Sequence, residues 1–192
     1  MSKDITQDIL MIIKEEVNVA KRILFSCLSI AIIFSLWSCA KSSHQVVELK
    51  HFPIDSLEGI ITQSGIEIDK NVSSDGKGSL RITATEPVVV RLFEVRDIGV
   101  ETARLVYQAK VRTEGVTGKV FLEMWCHFPG KGEFFSRGLQ TPLTGTIDWT
   151  TEETPFFLQK GEKPDYVKLN LVIDGKGTAW IDDVRLLKGP LQ

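Results

Sequence analysis

The chain has 192 residues, 43% of them apolar and 25% charged, with a formal net charge of −2. That length and apolar share support one well-packed core rather than two. The near-zero charge, with no long run of like charges, excludes electrostatic capture by nucleic acid or anionic lipid, so no nucleic-acid partner is expected.

The amino-terminal segment sets the compartment. Ile23 to Ala40 carry no charged side chain, and Lys21 and Arg22 stand immediately before them. A positive flank followed by an apolar run is the form of a secretory signal. The run ends Leu36-Trp37-Ser38-Cys39-Ala40, which resembles the lipobox of bacterial lipoproteins. The resemblance implies cleavage before Cys39 and a diacylglycerol on its thiol. Ser38 and Ala40 fit the pattern, whereas Trp37 stands where a small residue is usual. An uncleaved transmembrane helix is the alternative, because the uncharged run is just long enough to span hydrocarbon; a buried helix of a soluble protein is the third reading. Lipoprotein and uncleaved anchor agree that everything after Cys39 works outside the cytoplasm, anchored in the cell envelope. Ala40 is not an acidic retention signal, which favours the outer membrane over the inner.

Residues 1–22 are then either a cytoplasmic n-region or an untranslated extension. Asp4, Asp8, Glu15 and Glu16 are unusual for an n-region, and Ile5, Ile9, Ile12, Ile13 and Val17 recur near helical spacing. The expected organisation is a signal peptide over 23–38, a lipidated tether over 39–44 and one folded domain over 45–188. Of the three cysteines, Cys27 leaves with the signal and Cys39 takes the lipid. Cys126 remains, either a buried, inert thiol or a dimer link, and its place on the apolar phase of its segment favours burial.

Beyond the tether, short runs rich in Val, Ile, Leu, Phe and Thr alternate with Gly, Asp, Pro and Ser clusters, the pattern of an all-β sandwich. Strands are expected over 45–50, 65–68, 79–84, 88–93, 103–112, 119–128, 134–140, 154–158, 166–173 and 178–187. Turn signals separate them at Ser74-Asp75-Gly76, Glu114-Gly115, Pro129-Gly130, Thr144-Gly145, Gly161-Glu162 and Asp174-Gly175.

Alternation assigns faces. Val120, Leu122, Met124, Cys126 and Phe128 form an inward set. Their opposite set is Phe121, Glu123, Trp125 and His127, an unusual mixture of aromatic and ionisable groups. Leu105, Tyr107, Ala109 and Val111 face in against Gln108, Lys110 and Arg112. Val167, Leu169, Leu171 and Ile173 face in against Lys168 and Asn170. If these strands share one sheet, Trp125, Phe121, Glu123, His127, Gln108, Arg112 and Asn170 line one outward surface. The loop from His127 to Phe135, aromatic and Gly-rich, would rim it. Trp149 and Trp180 are expected in the core.

Two segments resemble jelly-roll carbohydrate-binding modules of the galactose-binding-like superfamily. Ser74-Asp75-Gly76-Lys77-Gly78-Ser79-Leu80-Arg81-Ile82 is similar to their "SxGxxSLxI" strand entry. Gly177-Thr178-Ala179-Trp180-Ile181-Asp182-Asp183-Val184-Arg185-Leu186 is similar to their "GTxxxDDVxL" closing strand. The similarity covers about residues 45 to 188, with Asp148-Trp149, Thr154-Pro155-Phe156 and Val167 to Leu171 falling in the family's order. It implies an antiparallel jelly roll and a glycan ligand. It also implies a structural calcium ion held by Asp183, with Asp55 or Glu58 as the early acidic ligand and backbone carbonyls completing the site. The family's early "N-x-x-F-E" is replaced here by Phe52-Pro53-Ile54-Asp55-Ser56-Leu57-Glu58. Calcium takes six to eight oxygens, and the simpler reading is that Asp182 and Asp183 cap a turn or pair with Arg185 or Lys188.

In modules of this kind, rings stack on sugar faces and planar polar side chains beside them read hydroxyls. Trp125 and Phe121 are the candidate rings, with Glu123, His127, Gln108, Arg112 and Asn170 as polar partners. The alternative is an envelope scaffold or protein-interaction lipoprotein, in which those rings are covered. An enzyme is not expected. No paired-carboxylate spacing, His-rich metal motif, G-x-S-x-G elbow or phosphate loop is present, and the adjacent Cys126 and His127 point to opposite strand faces.

Overall fold

The computed structural model describes residues 45–191. The expected signal helix, the tether and Cys39 lie outside them. Among the described residues every element is a strand: β1 Val47–Phe52, β2 Ile66–Asp69, β3 Ser79–Ala84, β4 Val88–Arg96, β5 Ala103–Phe128, β6 Gly132–Arg137, β7 Leu143–Leu158 and β8 Tyr166–Gly189.

All pairings are antiparallel. β5 and β8 run side by side from Arg104 opposite Gly189 to His127 opposite Tyr166, and both change outer partners half-way. The first half of β5 borders β7, and the second half borders β6. The amino half of β8 borders β4, and its carboxyl half borders β3 and β1. The result is two sheets that share two long bent strands. One runs β2–β3–β8–β5–β7, with β1 beside β8; the other runs β4–β8–β5–β6. This is the expected antiparallel jelly-roll sandwich.

The core fills the space between the sheets, as the alternation requires. Leu105, Tyr107, Ala109, Val111, Val120, Leu122, Met124 and Cys126 come from β5, and Val167, Leu169, Leu171, Ile173, Ile181, Val184 and Leu186 from β8. Leu80, Ile82, Val90, Leu92 and Val95 join them from β3 and β4. Cys126 is fully enclosed, and burial pushes its thiol up to about 12, so the group behaves as a small hydrophobe.

Three expected turns are instead bends inside continuous strands. Glu114-Gly115 lies within β5, Thr144-Gly145 within β7 and Asp174-Gly175 within β8, with register shifts between Glu114 and Thr117. Gly118 and Gly175 show why glycine reads ambiguously there. A Cβ on Gly118 would sit 2.1 Å from the Asp174 carbonyl oxygen, and one on Gly175 would sit 2.0 Å from that of Thr117. Their positive φ values (128° and 155°) let two backbones touch while the ladder continues, so these glycines kink a strand pair rather than reverse the chain.

The tryptophans expected in the core lie elsewhere. Trp149 is half-buried, outside the core cluster. Trp180 is buried but faces away from the core, beneath the guanidinium groups of Arg81 and Arg112 at 5.9 and 5.4 Å from its ring centre. Its Nε1 donates to Asp69 at 3.0 Å. Trp180 shares strand parity with Asp182, whereas the core residues Ala179 and Ile181 have the other.

The two motifs that carried the family resemblance meet in space. Asp182 is almost fully buried. Its Oδ2 accepts from the amide and hydroxyl of Ser74 (3.0 and 2.7 Å), and its Oδ1 from the Asp183 amide (2.8 Å). The acid therefore clamps the Ser73–Lys77 turn onto β8. Burial pushes its carboxyl up from the ordinary value despite these bonds.

Candidate functional site

The outward face of the β4–β8–β5–β6 sheet collects the aromatic and ionisable residues in cross-strand rows. One row is Arg96, Tyr166, His127 and Glu133; the next is Glu94, Lys168, Trp125 and Phe135. The third is Arg91, Asn170, Glu123 and Arg137, and the last is Val89, Val172 and Phe121. Side chains opposite one another on a sheet face stand close enough to touch, so each row is a contact chain.

Glu123 organises the centre. It is 4% exposed, and three donors converge on its carboxylate: Trp125 Nε1 at 2.7 Å and Asn170 Nδ2 at 3.1 Å to Oε1, and Arg137 Nε at 2.6 Å to Oε2. Burial pushes this carboxyl up. The bonds from Trp125, Arg137 and Asn170, with the arginine charge, outweigh that and hold it below the usual carboxylate range. Glu123 is thus an anion held by three protein donors, and it fixes the buried Asn170 and the two side chains that reach further out, Trp125 and Arg137. Trp125 packs against Phe135 with ring centres 4.9 Å apart, and Arg137 lies over the same Phe135 ring at 4.5 Å. Phe135 is 51% exposed, Trp125 is half-buried and Arg137 is exposed.

A second cluster flanks it. His127 and Tyr166 stack face to face at 4.5 Å, and His127 Nδ1 lies 2.6 Å from Asp165. Glu133 accepts from Lys168 Nζ at 2.5 Å and from the Tyr166 hydroxyl at 3.1 Å, and the lysine bond leads in holding its carboxyl low. Arg96 pairs with Glu94 at 2.5 Å and lies over the Tyr166 ring, 5.0 Å from its centre. Charges on this face are therefore largely neutralised by neighbours. What it offers a ligand is aromatic surface bordered by oriented polar groups.

Five of the seven expected binding residues share this face: Trp125, Phe121, Glu123, His127 and Asn170. Phe121 is buried at its far end, opposite Val172, and forms floor rather than contact surface. Gln108 and Arg112 are not brought to it. They sit on the first half of β5, which borders β7. There Gln108 reaches Glu153 at 3.5 Å, and Arg112 covers Trp180 and approaches Asp148 at 3.9 Å. The partner change half-way along β5 separates them from Trp125, although one strand carries all three.

Sequence reasoning placed Glu133 and Phe135 only in a rim loop and missed Arg137, Tyr166 and Lys168 as members of the site. A signal was available. The Pro129-Gly130 turn sets the β5–β6 register, and counting outward from it pairs His127 with Glu133, Trp125 with Phe135 and Glu123 with Arg137.

Of the residues expected to hold calcium, Asp183 lies on β8, and Asp55 and Glu58 lie in the connection between β1 and β2. Among the described residues no three His, Cys, Asp or Glu side chains are grouped so as to hold a metal ion. Asp183, in a left-handed backbone conformation (φ 50°), is engaged by protein side chains: His51 Nε2 at 2.7 Å and Arg185 Nε at 3.0 Å both meet its Oδ1. Glu58 is exposed. Asp55 is half-buried with one carboxylate oxygen unpartnered, and its main-chain oxygen accepts from Lys70 Nζ at 2.6 Å.

No protein-family model and no curated protein matches the chain. Solved structures do. The CBM22-1 xylan-binding domain of Paenibacillus barcinonensis Xyn10C superposes with a TM-score of 0.55 at 13% identity, over 79% of this chain and 100% of that one. The CBM22-1–GH10 modules of Clostridium thermocellum Xyn10B, solved with xylohexaose, superpose with a TM-score of 0.54 at 12% identity, over 76% of this chain and 29% of that longer one. The fold of the described residues is that of the jelly-roll carbohydrate-binding modules.

Proposed function

We propose that this protein is a non-catalytic carbohydrate-binding lipoprotein. Its domain, held outside the cytoplasm through Cys39, takes a glycan across the β4–β8–β5–β6 face. The observation that carries the reading is the Phe135–Trp125 pair, bordered by the Arg137–Glu123–Asn170 chain. Apolar ring faces match the C–H faces of a pyranose, and the adjoining guanidinium and amide groups match its hydroxyls. Internal pairing of Glu94, Glu123 and Glu133 with Arg96, Arg137 and Lys168 suits a neutral ligand. The same pairing argues against catalysis, since Glu123 is buried and engaged by three protein donors and Glu133 is tied to Lys168 and Tyr166.

The test is a glycan array on soluble protein beginning at Lys41, followed by titration of any hit with Trp fluorescence. Trp125→Ala and Phe135→Ala are each expected to weaken binding at least about tenfold, a loss of roughly 1.4 kcal/mol; Phe135→Ala is expected to leave Tm within a few degrees, whereas Trp125→Ala also removes a donor to Glu123 and lowers it. A blank array from folded protein, or binding indifferent to both substitutions, would sink the reading. A protein-interaction role would then take its place. The cleft where Phe134 and Phe157, 49% and 45% exposed, border Phe128 and Phe156 favours that second reading.

A further inference from the structure

We infer that this domain builds no structural calcium site and that its own side-chain cations hold together the segments a metal would join. Two places carry the inference. Lys70, just past β2, sends its ammonium to the main-chain oxygens of Asp55 at 2.6 Å and Lys77 at 3.0 Å. These carbonyls belong to different connections, one between β1 and β2 and the other between β2 and β3. The lysine stem lies against Gly78, where an added Cβ would come within 3.2 Å of Cδ and 3.1 Å of Nζ. Converging carbonyl oxygens are hard ligands of the kind calcium uses, and here a monovalent protein cation already bonds them.

The second place is the carboxyl-terminal acid. Asp183 Oδ1 meets His51 of β1 and Arg185 of β8, and the same guanidinium reaches Glu48 of β1 at 2.9 Å. This four-residue network ties β1 to β8 by hydrogen bonds and charge. Its acids already face an arginine, so a divalent ion there would have to displace or oppose a fixed positive charge. The one observation in favour of a metal is the unpartnered buried oxygen of Asp55. The Lys70 ammonium, bonded to the main chain of that same residue, supplies positive charge beside it.

The measurement is Tm of the full-length chain in detergent, in 5 mM calcium and in excess EDTA, for the wild type, Lys70→Met and Asp183→Asn. A folding-linked calcium site filled at about a hundred times its Kd raises Tm by roughly 5–10 °C. The expected result is a wild-type difference below about 1 °C. Lys70→Met is expected to lower Tm by about 2–4 °C. Asp183→Asn should lower it equally in calcium and in EDTA. A wild-type rise of 5 °C or more in calcium, abolished by Asp183→Asn, would overturn the inference. So would an unchanged Tm in Lys70→Met.

Discussion

Replacing Glu123 by Gln tests whether the buried carboxylate organises the candidate site. Glu123 is 4% exposed and accepts three bonds, from Trp125, Asn170 and Arg137. Bonds to a charged acceptor contribute about 1.5–3 kcal/mol each. Gln retains one acceptor oxygen but turns an amino group towards donors that have no lone pair to offer, so at least one converging N–H loses its partner. Arg137 is 39% exposed on its side chain and recovers part of its solvation from water, which discounts the loss. The net cost is about 2–3 kcal/mol, or roughly 5–10 °C in Tm for a domain of this size.

The pH dependence gives the assay its specificity. Hydrogen bonding depresses the folded-state pKa of Glu123 below its unfolded value of about 4.3. Its contribution is therefore complete above that value and is lost as pH falls through the folded pKa. Urea denaturation of the wild type and Glu123→Gln at pH 7 and at about pH 3 is expected to show the full gap at neutral pH and a narrower one in acid. Near-ultraviolet circular dichroism reports whether Trp125 has lost its fixed setting. A gap under about 0.5 kcal/mol at pH 7, or one of equal size at both pH values, would refute the argument that a charged, converging acceptor holds the site.

Gly118→Ala places a Cβ 2.1 Å from the Asp174 carbonyl at a φ of 128°, so it is expected to cost more than about 3 kcal/mol and to abolish soluble folded protein. A Tm within a few degrees of wild type would show that the β5–β8 bend tolerates a side chain. Cys39→Ser is expected to remove radiolabelled palmitate from the protein and release the domain from the membrane fraction. An unlabelled wild type that still sediments with membranes would instead support the uncleaved anchor.

The sequence by itself determined the fold class and the inside of the domain. Strand periodicity is local, so the core sets on β5 and on the amino half of β8, including Cys126, follow from alternation alone. The same counting put Phe121, Glu123, Trp125 and His127 on one face. Tertiary structure decided what alternation cannot encode, namely which strand lies beside which. Gln108 and Trp125 occupy one strand and the same expected face, yet β5 exchanges β7 for β6 between them and carries them to different surroundings. Burial depends on neighbours as well, and it divided the pair expected to stack on sugar, leaving Trp125 half-exposed and sealing Phe121. The glycine bends show the limit most directly. Glycine frees a backbone either to turn or to let another backbone touch it, and only the partner chain opposite Gly118 and Gly175 selects the second.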